Sequence, residues 1–468
     1  MQKFQGRNSG HASRTLVVVL ALFLLPFPFA NDDIGRVSTS TREGRLAVFD
    51  DVWQTVYERY YDANFDGVDW LVQRSVFRPQ AGDASGPQEL YALLRRMLAS
   101  LKDAHTRVYA PEEKFEWQHP RFVSIGVSLR EVEGQSTVVS VDPASEAARA
   151  GISPGDVIER VDGEPAPSVL ERKLREEVGS STAQAARSRA VALLLDGTPN
   201  TSVQVGWRTS TNKEQSMSFR RQWRQRNFVL QIKQRGNRAV VVIDAFTWSI
   251  TRDFARALKE ELRHTRGIVL DLRNNGGGDA EAMAGIATYF LPSATSLGQF
   301  TNRWGNVALN LETGASPSAG ADRIVGSSVP LVVLTSNRTS SAAEIFVAAL
   351  KAAHRAIVIG GETCGCVLAI RTRHGLPDGA ELDVSELDYR TAQGVRLEGR
   401  GVLPDESLSL KRRDLYSGHD RVLELALAKL KILLAHRKSA LRDSPALLVS
   451  GPGNTLNSSS ARTSFPQP

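Results

Sequence analysis

Residues 329–353 read VPLVVLTSNRTSSAAEIFVAALKAA, which is a continuous apolar run, a short polar turn and an apolar helical pattern. A fully apolar run of this length predicts a strand that is buried on both faces of a sheet. Further apolar runs alternate with helical patterns along the same part of the chain, at 240–243, 252–262, 268–272, 280–290, 342–353 and 356–359. The alternation predicts an α/β domain with a largely parallel sheet that helices cover on both faces.

The rest of the chain divides into segments of different character. Helical periodicity at 46–60 and 88–101 predicts packing helices. Residues 121–210 carry short strand-like runs, the hairpin signal Asp162-Gly163 and one long helical stretch at 167–195, and so predict a small β-rich domain. We therefore divide the chain into a signal peptide at 1–30, an N-terminal helical segment at 31–120, a β-rich domain at 121–210, an α/β domain at 211–435 and a disordered tail at 436–468.

Composition excludes several classes of protein. The chain has 468 residues and a net charge of +7, which fits a globular protein of two or three domains with a mild basic excess. The densest basic stretch, at 220–226, has no accompanying nucleic-acid-binding motif, so no nucleic acid is expected as a partner. The two cysteines, Cys364 and Cys366, are too few for a disulfide framework or for the four ligands of a structural zinc site.

The first 30 residues have the pattern of an export signal. Lys3, Arg7 and Arg14 precede an apolar run at 16–25 that leads to Ala30. This pattern predicts an exported protein, periplasmic or extracellular. Because the sequence around Ala30 is not a clean cleavage site, an uncleaved segment that attaches the protein to the membrane is the alternative.

Four polar or glycine-rich positions could support catalysis. Ser341 lies where a predicted strand ends and a helix begins, and the positive end of the helix dipole there suits a nucleophile that generates an oxyanion. The alternative is a capping box with Glu344. Glycines 276–278 could approach a ligand closely or form only a tight turn. His105, in a polar turn, could be a base or a structural residue. Glu398 could be a catalytic or a surface carboxylate.

Together these positions carry a family pattern. The chain resembles the C-terminal processing peptidases, which are related to the tricorn core protease, over about residues 46–430. The resemblance implies a serine endopeptidase that forms an acyl-enzyme with protein or peptide substrates and needs no metal or organic cofactor. Five segments carry it, in the order of the family: Asp103–Thr106, Val269–Gly278, Ser341–Ile345, Gly360–Gly365 and Glu398–Asp405.

The β-rich domain resembles the PDZ domain of the same family. Residues 152–158 read ISPGDVI, which is typical of such domains. The resemblance implies that a substrate peptide adds to the domain as an extended strand. The peptide carboxylate would then bind to backbone amides of Ser124, Ile125, Gly126 and Val127.

The sequence departs from the family at one important position. Members with a Ser-Lys dyad supply the lysine from a Phe-Gly-Lys-Gly motif, and Cys366 stands at that position here. Tricorn-type members use Ser, His and Glu instead. The resemblance then implies Ser341 as nucleophile, His105 as base and Glu398 as the supporting carboxylate, with oxyanion donors at Gly277 and Ala342.

Other interpretations stay open at this point. Loss of the lysine also fits a catalytically inactive relative that binds peptides, and the sheet scaffold alone would fit a ligand-binding protein. If His105 is the base and has an ordinary imidazole pKa of about 6.5, the rate should rise across about pH 6 to 7.

Overall fold

The protein is described by a computed structural model that covers residues 37–113, 120–176, 179–314 and 329–443. The predicted signal peptide and the predicted tail beyond residue 443 lie outside these ranges. Within them, no helix is both long enough and apolar enough to cross a membrane.

The N-terminal segment is a small helical layer. It comprises α1 (Arg42–Arg59), α2 (Trp70–Asp83), α3 (Pro87–Ala99) and the short strand β1 (Arg107–Tyr109). Helix α1 begins at Thr41, whose hydroxyl accepts a hydrogen bond from the Gly44 N–H at 3.1 Å. Helices α1 and α3 match the predicted ones. Helix α2 was not predicted, and it contains Pro79.

The second unit is an antiparallel sheet with three helices. Its elements are β2 (Arg121–Ser124), β3 (Val127–Val132), β4 (Gln135–Val141), α4 (Glu146–Arg149), β5 (Val157–Val161), β6 (Glu164–Pro165), α5 (Ala166–Glu176), α6 (Ala183–Ala192), β7 (Ser202–Arg208), β8 (Glu214–Arg220) and β9 (Gln222–Gln225). The main sheet has the order β3-β4-β5-β7-β8, and β2 pairs with β9. Strand β3 therefore lies at one edge of the main sheet.

Two features of this unit differ from the sequence prediction. The single helix predicted at 167–195 is wrong, because α5 and α6 are separate helices. Helix α6 starts anew at Thr182, whose hydroxyl accepts a hydrogen bond from the Ala185 N–H at 3.0 Å. The antiparallel sheet also continues to Arg220, past the boundary placed at residue 210.

The third unit contains the central sheet. Its elements are β10 (Gln231–Arg235), β11 (Arg238–Val242), α7 (Trp248–Lys259), β12 (Gly267–Asp271), α8 (Ala280–Ala287), β13 (Ser296–Thr301), β14 (Val307–Glu312), β15 (Leu331–Thr335), α9 (Ala342–Ala352), β16 (Ile357–Gly360), β17 (Arg373–Gly375), β18 (Glu381–Asp383), β19 (Asp388–Arg390), β20 (Glu406–Ser407), α10 (Arg412–Ser417) and α11 (Arg421–Asp443). Helix α11 runs into the range that we assigned to the tail, so the predicted start of the tail at residue 436 is too early.

The central sheet has the order β10-β11-β12-β15-β16-β20, and every pair except β10–β11 is parallel. Alternate strand residues face opposite sides. Val241, Leu270 and Val333 pack with α7, α8 and α9, whereas the intervening strand residues pack with α11. The predicted α/β fold is confirmed. Because parallel strands end at the same edge, the loops after β12 and β15 meet there.

Candidate active site

Ser341 lies in a strained turn between β15 and α9. Its backbone has φ 56° and ψ −128°, a conformation that is costly for a residue with a side chain. Such strain is typical of a nucleophile held on a sharp strand-to-helix turn. Ser341 and Glu344 have the arrangement of a capping box, in which the Glu344 carboxylate accepts the Ser341 N–H at 3.1 Å. The Glu344 N–H donates to the Ser341 backbone carbonyl at 2.8 Å. The capping box of the alternative interpretation is therefore present, and the strained backbone of Ser341 is the feature that a cap alone does not require.

The turn is held to the loop after β12. Thr339 donates a hydrogen bond from its hydroxyl to the Leu272 carbonyl at 2.8 Å, and the Ser340 N–H donates to the Asn275 carbonyl at 3.0 Å. Gly277 packs directly on the nucleophile. A Cβ at this position would lie 2.6 Å from the Ser341 Cβ, and the backbone has φ +97°. Only glycine fits here, because both the space and the conformation exclude a side chain.

Of the two predicted oxyanion donors, one has a free N–H and the other has an N–H that is already hydrogen-bonded. The Ala342 N–H begins helix α9 and donates to no acceptor within the described residues. It therefore offers a free donor at the positive end of the helix dipole. The Gly277 N–H instead donates to the Asn275 side-chain oxygen at 2.8 Å. In this conformation Gly277 is beside the nucleophile, but its N–H is already engaged.

Glu344 connects the nucleophile to the loop after β16. Its carboxylate is fully buried and accepts hydrogen bonds from the Ser341 N–H at 3.1 Å, the Gly365 N–H at 2.7 Å, the Cys366 N–H at 2.9 Å and the Thr363 hydroxyl at 2.5 Å. Burial raises the pKa of this carboxyl to about 7, although the hydrogen bonds oppose the rise. Sequence reasoning saw Glu344 only as a possible cap. Its position at the third residue of the helix was the available signal.

The two cysteines form a disulfide with each other across Gly365. Two cysteines are too few for a disulfide framework or a structural zinc site, and their pairing with each other was not predicted from the sequence. Since Cys366 carries no thiol in this state, it cannot replace the lysine of the dyad as a base. Its backbone carbonyl accepts the Ser341 N–H at 2.9 Å, so the disulfide-bonded loop directly supports the nucleophile.

His105 lies in a tight turn that Asp103 organises. The two carboxylate oxygens of Asp103 accept the backbone N–H groups of His105 at 2.8 Å and of Thr106 at 3.1 Å. The ring Nδ1 of His105 is buried and has no hydrogen-bond partner within the described residues. Burial lowers the pKa of the imidazole to about 4, and Arg107 contributes to the shift while Asp103 opposes it. The ring is therefore neutral at ordinary pH, as a general base requires.

Glu398 is buried beside the disulfide-bonded loop. Its carboxylate accepts hydrogen bonds from the Val367 N–H at 2.6 Å and the Leu368 N–H at 3.1 Å. Burial and, to a smaller extent, the charge of Asp103 raise the pKa of Glu398 to about 8, although hydrogen bonds to its carboxyl group oppose the rise. Glu398 is thus not the surface carboxylate of the alternative interpretation.

All three predicted catalytic segments meet at the loop formed by residues 364–368. Ser341 donates its N–H to this loop, Glu398 accepts two N–H groups from it, and Ala104, next to His105, packs against Cys366. Among the described residues, no hydrogen bond joins the His105 ring to either Ser341 or Glu398. The structure brings the three segments together, while the hydrogen bonds of a triad are not formed in this conformation.

Two parts of the chain match known protein families. Residues 237–408 match the sequence profile of peptidase family S41, and residues 42–99 match that of the tricorn protease C1 domain. A carboxyl-terminal-processing protease of Synechocystis sp. is 28% identical over 407 residues, which are 83% of this chain and 88% of that protein. The chloroplastic carboxyl-terminal-processing peptidase 2 of Arabidopsis thaliana is 27% identical over 381 residues, 77% of this chain and 68% of that protein.

Solved structures show the same fold. The photosystem II D1 C-terminal processing protease superposes with a TM-score of 0.52 at 25% identity, covering 78% of this chain and 93% of that one. Mature CPAF superposes with a TM-score of 0.66 at 13% identity, covering 83% and 98%. The second likeness is one of fold alone.

Proposed function

We propose that this chain, whose residues 237–408 match peptidase family S41, is a serine-type peptide hydrolase. In this proposal it cleaves proteins or peptides through an acyl-enzyme on Ser341, with His105 as general base. The observation that carries the proposal is the strained Ser341 turn, with the free Ala342 N–H beside it, held by the loop that also contacts the His105 and Glu398 segments. The charge and apolar pattern of residues 1–30 supports export before the protein acts.

The proposed reaction has two steps. Ser341 Oγ attacks the substrate carbonyl while His105 takes its proton, and the Ala342 N–H stabilises the oxyanion that forms. His105 then gives the proton to the leaving amine, and a water molecule releases the acyl group by the reverse sequence. Gly277 becomes the second donor if substrate binding turns its N–H away from Asn275.

Glu398 has the role of orienting the imidazole. Its carboxyl group and the His105 turn both lie against the 364–368 loop, and an imidazole has a second nitrogen whose N–H a carboxyl oxygen can accept. The unpartnered Nδ1 of His105 is the ring atom that lacks such a contact in this structure. Since catalytic hydrogen bonds often tighten only when substrate binds, closure of the His105 turn onto Ser341 and Glu398 belongs to the proposed working state.

The second unit, the antiparallel sheet with helices α4 to α6, is the proposed binding site for the substrate peptide. Strand β3 is an edge strand and α6 packs beside it, so a peptide strand could add between them. Arg187 of α6 donates from Nε to both carboxylate oxygens of Glu131 on β3, at 2.9 and 2.7 Å, and so links the helix to the edge strand. Addition of a peptide strand there requires this ion pair to open. Residues 124–127 form the loop that is proposed to bind the peptide carboxylate. In this loop Gly126 has φ +94°, and its N–H donates to the Ser124 hydroxyl at 2.9 Å. Carboxylate capture there requires this amide to be released.

The proposal predicts that a fluorophosphonate will label the purified protein once per chain and abolish cleavage of casein in proportion to labelling. The reagent reacts only with a serine whose oxygen is activated and whose developing negative charge is stabilised. Intact-protein mass spectrometry and a casein assay on the same samples measure the two quantities. A protein that neither labels nor cleaves would instead be the inactive peptide-binding relative.

The pH profile is expected to differ from that of an ordinary histidine. The imidazole must be neutral to accept the serine proton, so kcat/KM falls as pH drops through the pKa of His105 in the free enzyme. Because burial lowers that pKa to about 4, the acid limb should have its midpoint near pH 4 and the rate should be flat across pH 6 to 7 as far as His105 is concerned. This revises the sequence-based expectation. Initial rates with a peptide substrate, with circular dichroism at each pH to verify folding, measure the limb. Because the pKa values of Glu344 and Glu398 are raised to about 7 and about 8, the limb is assigned to His105 by NMR titration of its ring. A ring midpoint between pH 6 and 7 would contradict the buried environment.

A further inference from the structure

Two arginines from distant parts of the chain lie beside His105. Arg107 follows the histidine on β1, and Arg189 lies on α6. Ala185 of α6 lies in one buried cluster with Ala104 and Cys366. Arg189, one helical turn later, projects from the same face of the helix. The charges of both arginines act on the His105 imidazole and lower its pKa. The two guanidinium groups and the proposed general base therefore share one site.

Neither arginine forms a direct ion pair within the part of the chain that the structure describes. Arg107 Nε is buried without a hydrogen-bond partner, and no described carboxylate forms an ion pair with Arg107 or Arg189. Burial, followed by the like charge of Arg107, lowers the pKa of Arg189 to about 9. Both residues nevertheless have intermediate exposure, so part of each faces solvent although the Arg107 Nε atom is buried.

The nearby carboxylates are already used. Asp103 accepts two backbone N–H groups of its own turn, at 2.8 and 3.1 Å. Asp383 lies opposite Arg107 in the β1–β18 pair, but Arg373 holds both of its oxygens, at 2.9 and 3.0 Å. Asp103 and Asp383 still carry their negative charges, so two carboxylates face three guanidinium groups, those of Arg107, Arg189 and Arg373. Among these five groups, one positive charge is left unbalanced next to the proposed catalytic centre.

Two adjacent, partly desolvated guanidinium groups are unfavourable unless a negative group joins them. The arginine fork matches a carboxylate in geometry and charge. We propose that Arg107 and Arg189 form a carboxylate-binding subsite beside the catalytic centre, which selects substrates with an acidic group close to the scissile bond. The carboxylate comes either from an Asp or Glu side chain or from the free C-terminus of the substrate. This inference rests on the proposed function, since it concerns the substrate of the same centre.

Binding to the full chain with Ser341→Ala tests the subsite without cleavage. The probe is a neutral decapeptide with an uncharged N-terminal dye, made in three forms: C-terminally amidated, with a free C-terminal carboxylate, and amidated with one internal glutamate at successive positions. Fluorescence anisotropy gives the dissociation constants. We expect about tenfold tighter binding of at least one acidic form than of the amidated neutral peptide, the size expected for a charged hydrogen-bonded pair. The form that gains identifies the source of the carboxylate.

Variants of the two arginines test whether Arg107 and Arg189 cause the preference for acidic peptides. In the same background, Arg107→Gln together with Arg189→Gln should reduce the acidic preference to less than about twofold and leave binding of the neutral peptide unchanged. Arg252→Gln, at an exposed position of α7, is the matched control and should keep the full preference. Circular dichroism verifies that the double variant is folded. If it is not, the preference for acidic peptides is still measurable in Ser341→Ala with both arginines present.

Two results would overturn the subsite. One is the lack of any acidic preference with native arginines, including no measurable binding of any form. The other is a preference that survives in the double variant, which would assign carboxylate capture to another site such as the Ser124–Val127 loop. Failure of the proposed function is distinguished separately, because it appears as absent fluorophosphonate labelling of the unsubstituted protein.

Discussion

Ser341→Ala is expected to abolish peptide cleavage, with a loss in kcat of about 10⁶-fold on the scale of other serine nucleophiles. The substitution removes the oxygen that forms the acyl-enzyme. The fold should remain, because the hydrogen bonds between Ser341 and Glu344 use the Ser341 backbone, which alanine retains, and alanine carries the same Cβ in the strained turn. We expect the free energy of unfolding to change by no more than about 1 kcal/mol. A casein or peptide assay and thermal unfolding measure the two effects.

Ser340→Ala is the matched control for this variant. Ser340 lies in the same turn, and the hydrogen bond that it gives to Asn275 comes from its backbone, which alanine retains. Its activity should stay within about tenfold of the unsubstituted protein. Turnover by Ser341→Ala similar to that of the unsubstituted protein would disprove the assignment of the nucleophile.

The second large effect concerns the base. His105→Ala should lower kcat by about 10³ or more, because no group is left to take the serine proton or return it to the leaving amine. Cys366→Ala should have a much milder effect. The disulfide-bonded sulfur cannot accept that proton, and the contact that Cys366 makes with Ser341 comes from its backbone carbonyl. Alkylating reagents should leave activity unchanged, since neither cysteine has a free thiol.

Two further variants serve as controls for the comparison of His105→Ala with Cys366→Ala. Replacing Cys364 and Cys366 together avoids leaving one reactive thiol. His264→Ala removes an exposed imidazole after α7 and should be fully active. The opposite ranking, with His105→Ala active and the cysteine variant inactive, would make the 364–368 loop itself the catalytic partner.

The strands and helices of the central sheet could be predicted because their apolar residues are continuous or periodic. Helix α2 could not, since Pro79 interrupts the pattern and its apolar Leu71 and Val72 are exposed. The break between α5 and α6 was predictable in principle. Residues 179–182 read GSST, which disfavours a helix interior and favours a cap at Thr182.

The candidate site was predictable only where local motifs mark it. Ser341, His105 and Glu398 lie in short segments whose residue types resemble those of a family, and the structure brings these segments to one loop. The roles of Glu344 and Arg189 depend on contacts between parts of the chain that are far apart in sequence. The lowered pKa of His105 depends on burial, which no local pattern records.

A crystal structure of the fluorophosphonate adduct would test the central claim most directly. The account predicts phosphorus bound to Ser341 Oγ, its oxygen accepting the Ala342 N–H, and a His105 ring nitrogen at about 3 Å from the bonded oxygen. An adduct on another residue would contradict it. So would an adduct on Ser341 in which the phosphonyl oxygen faces away from the start of α9 and His105 stays out of hydrogen-bond reach.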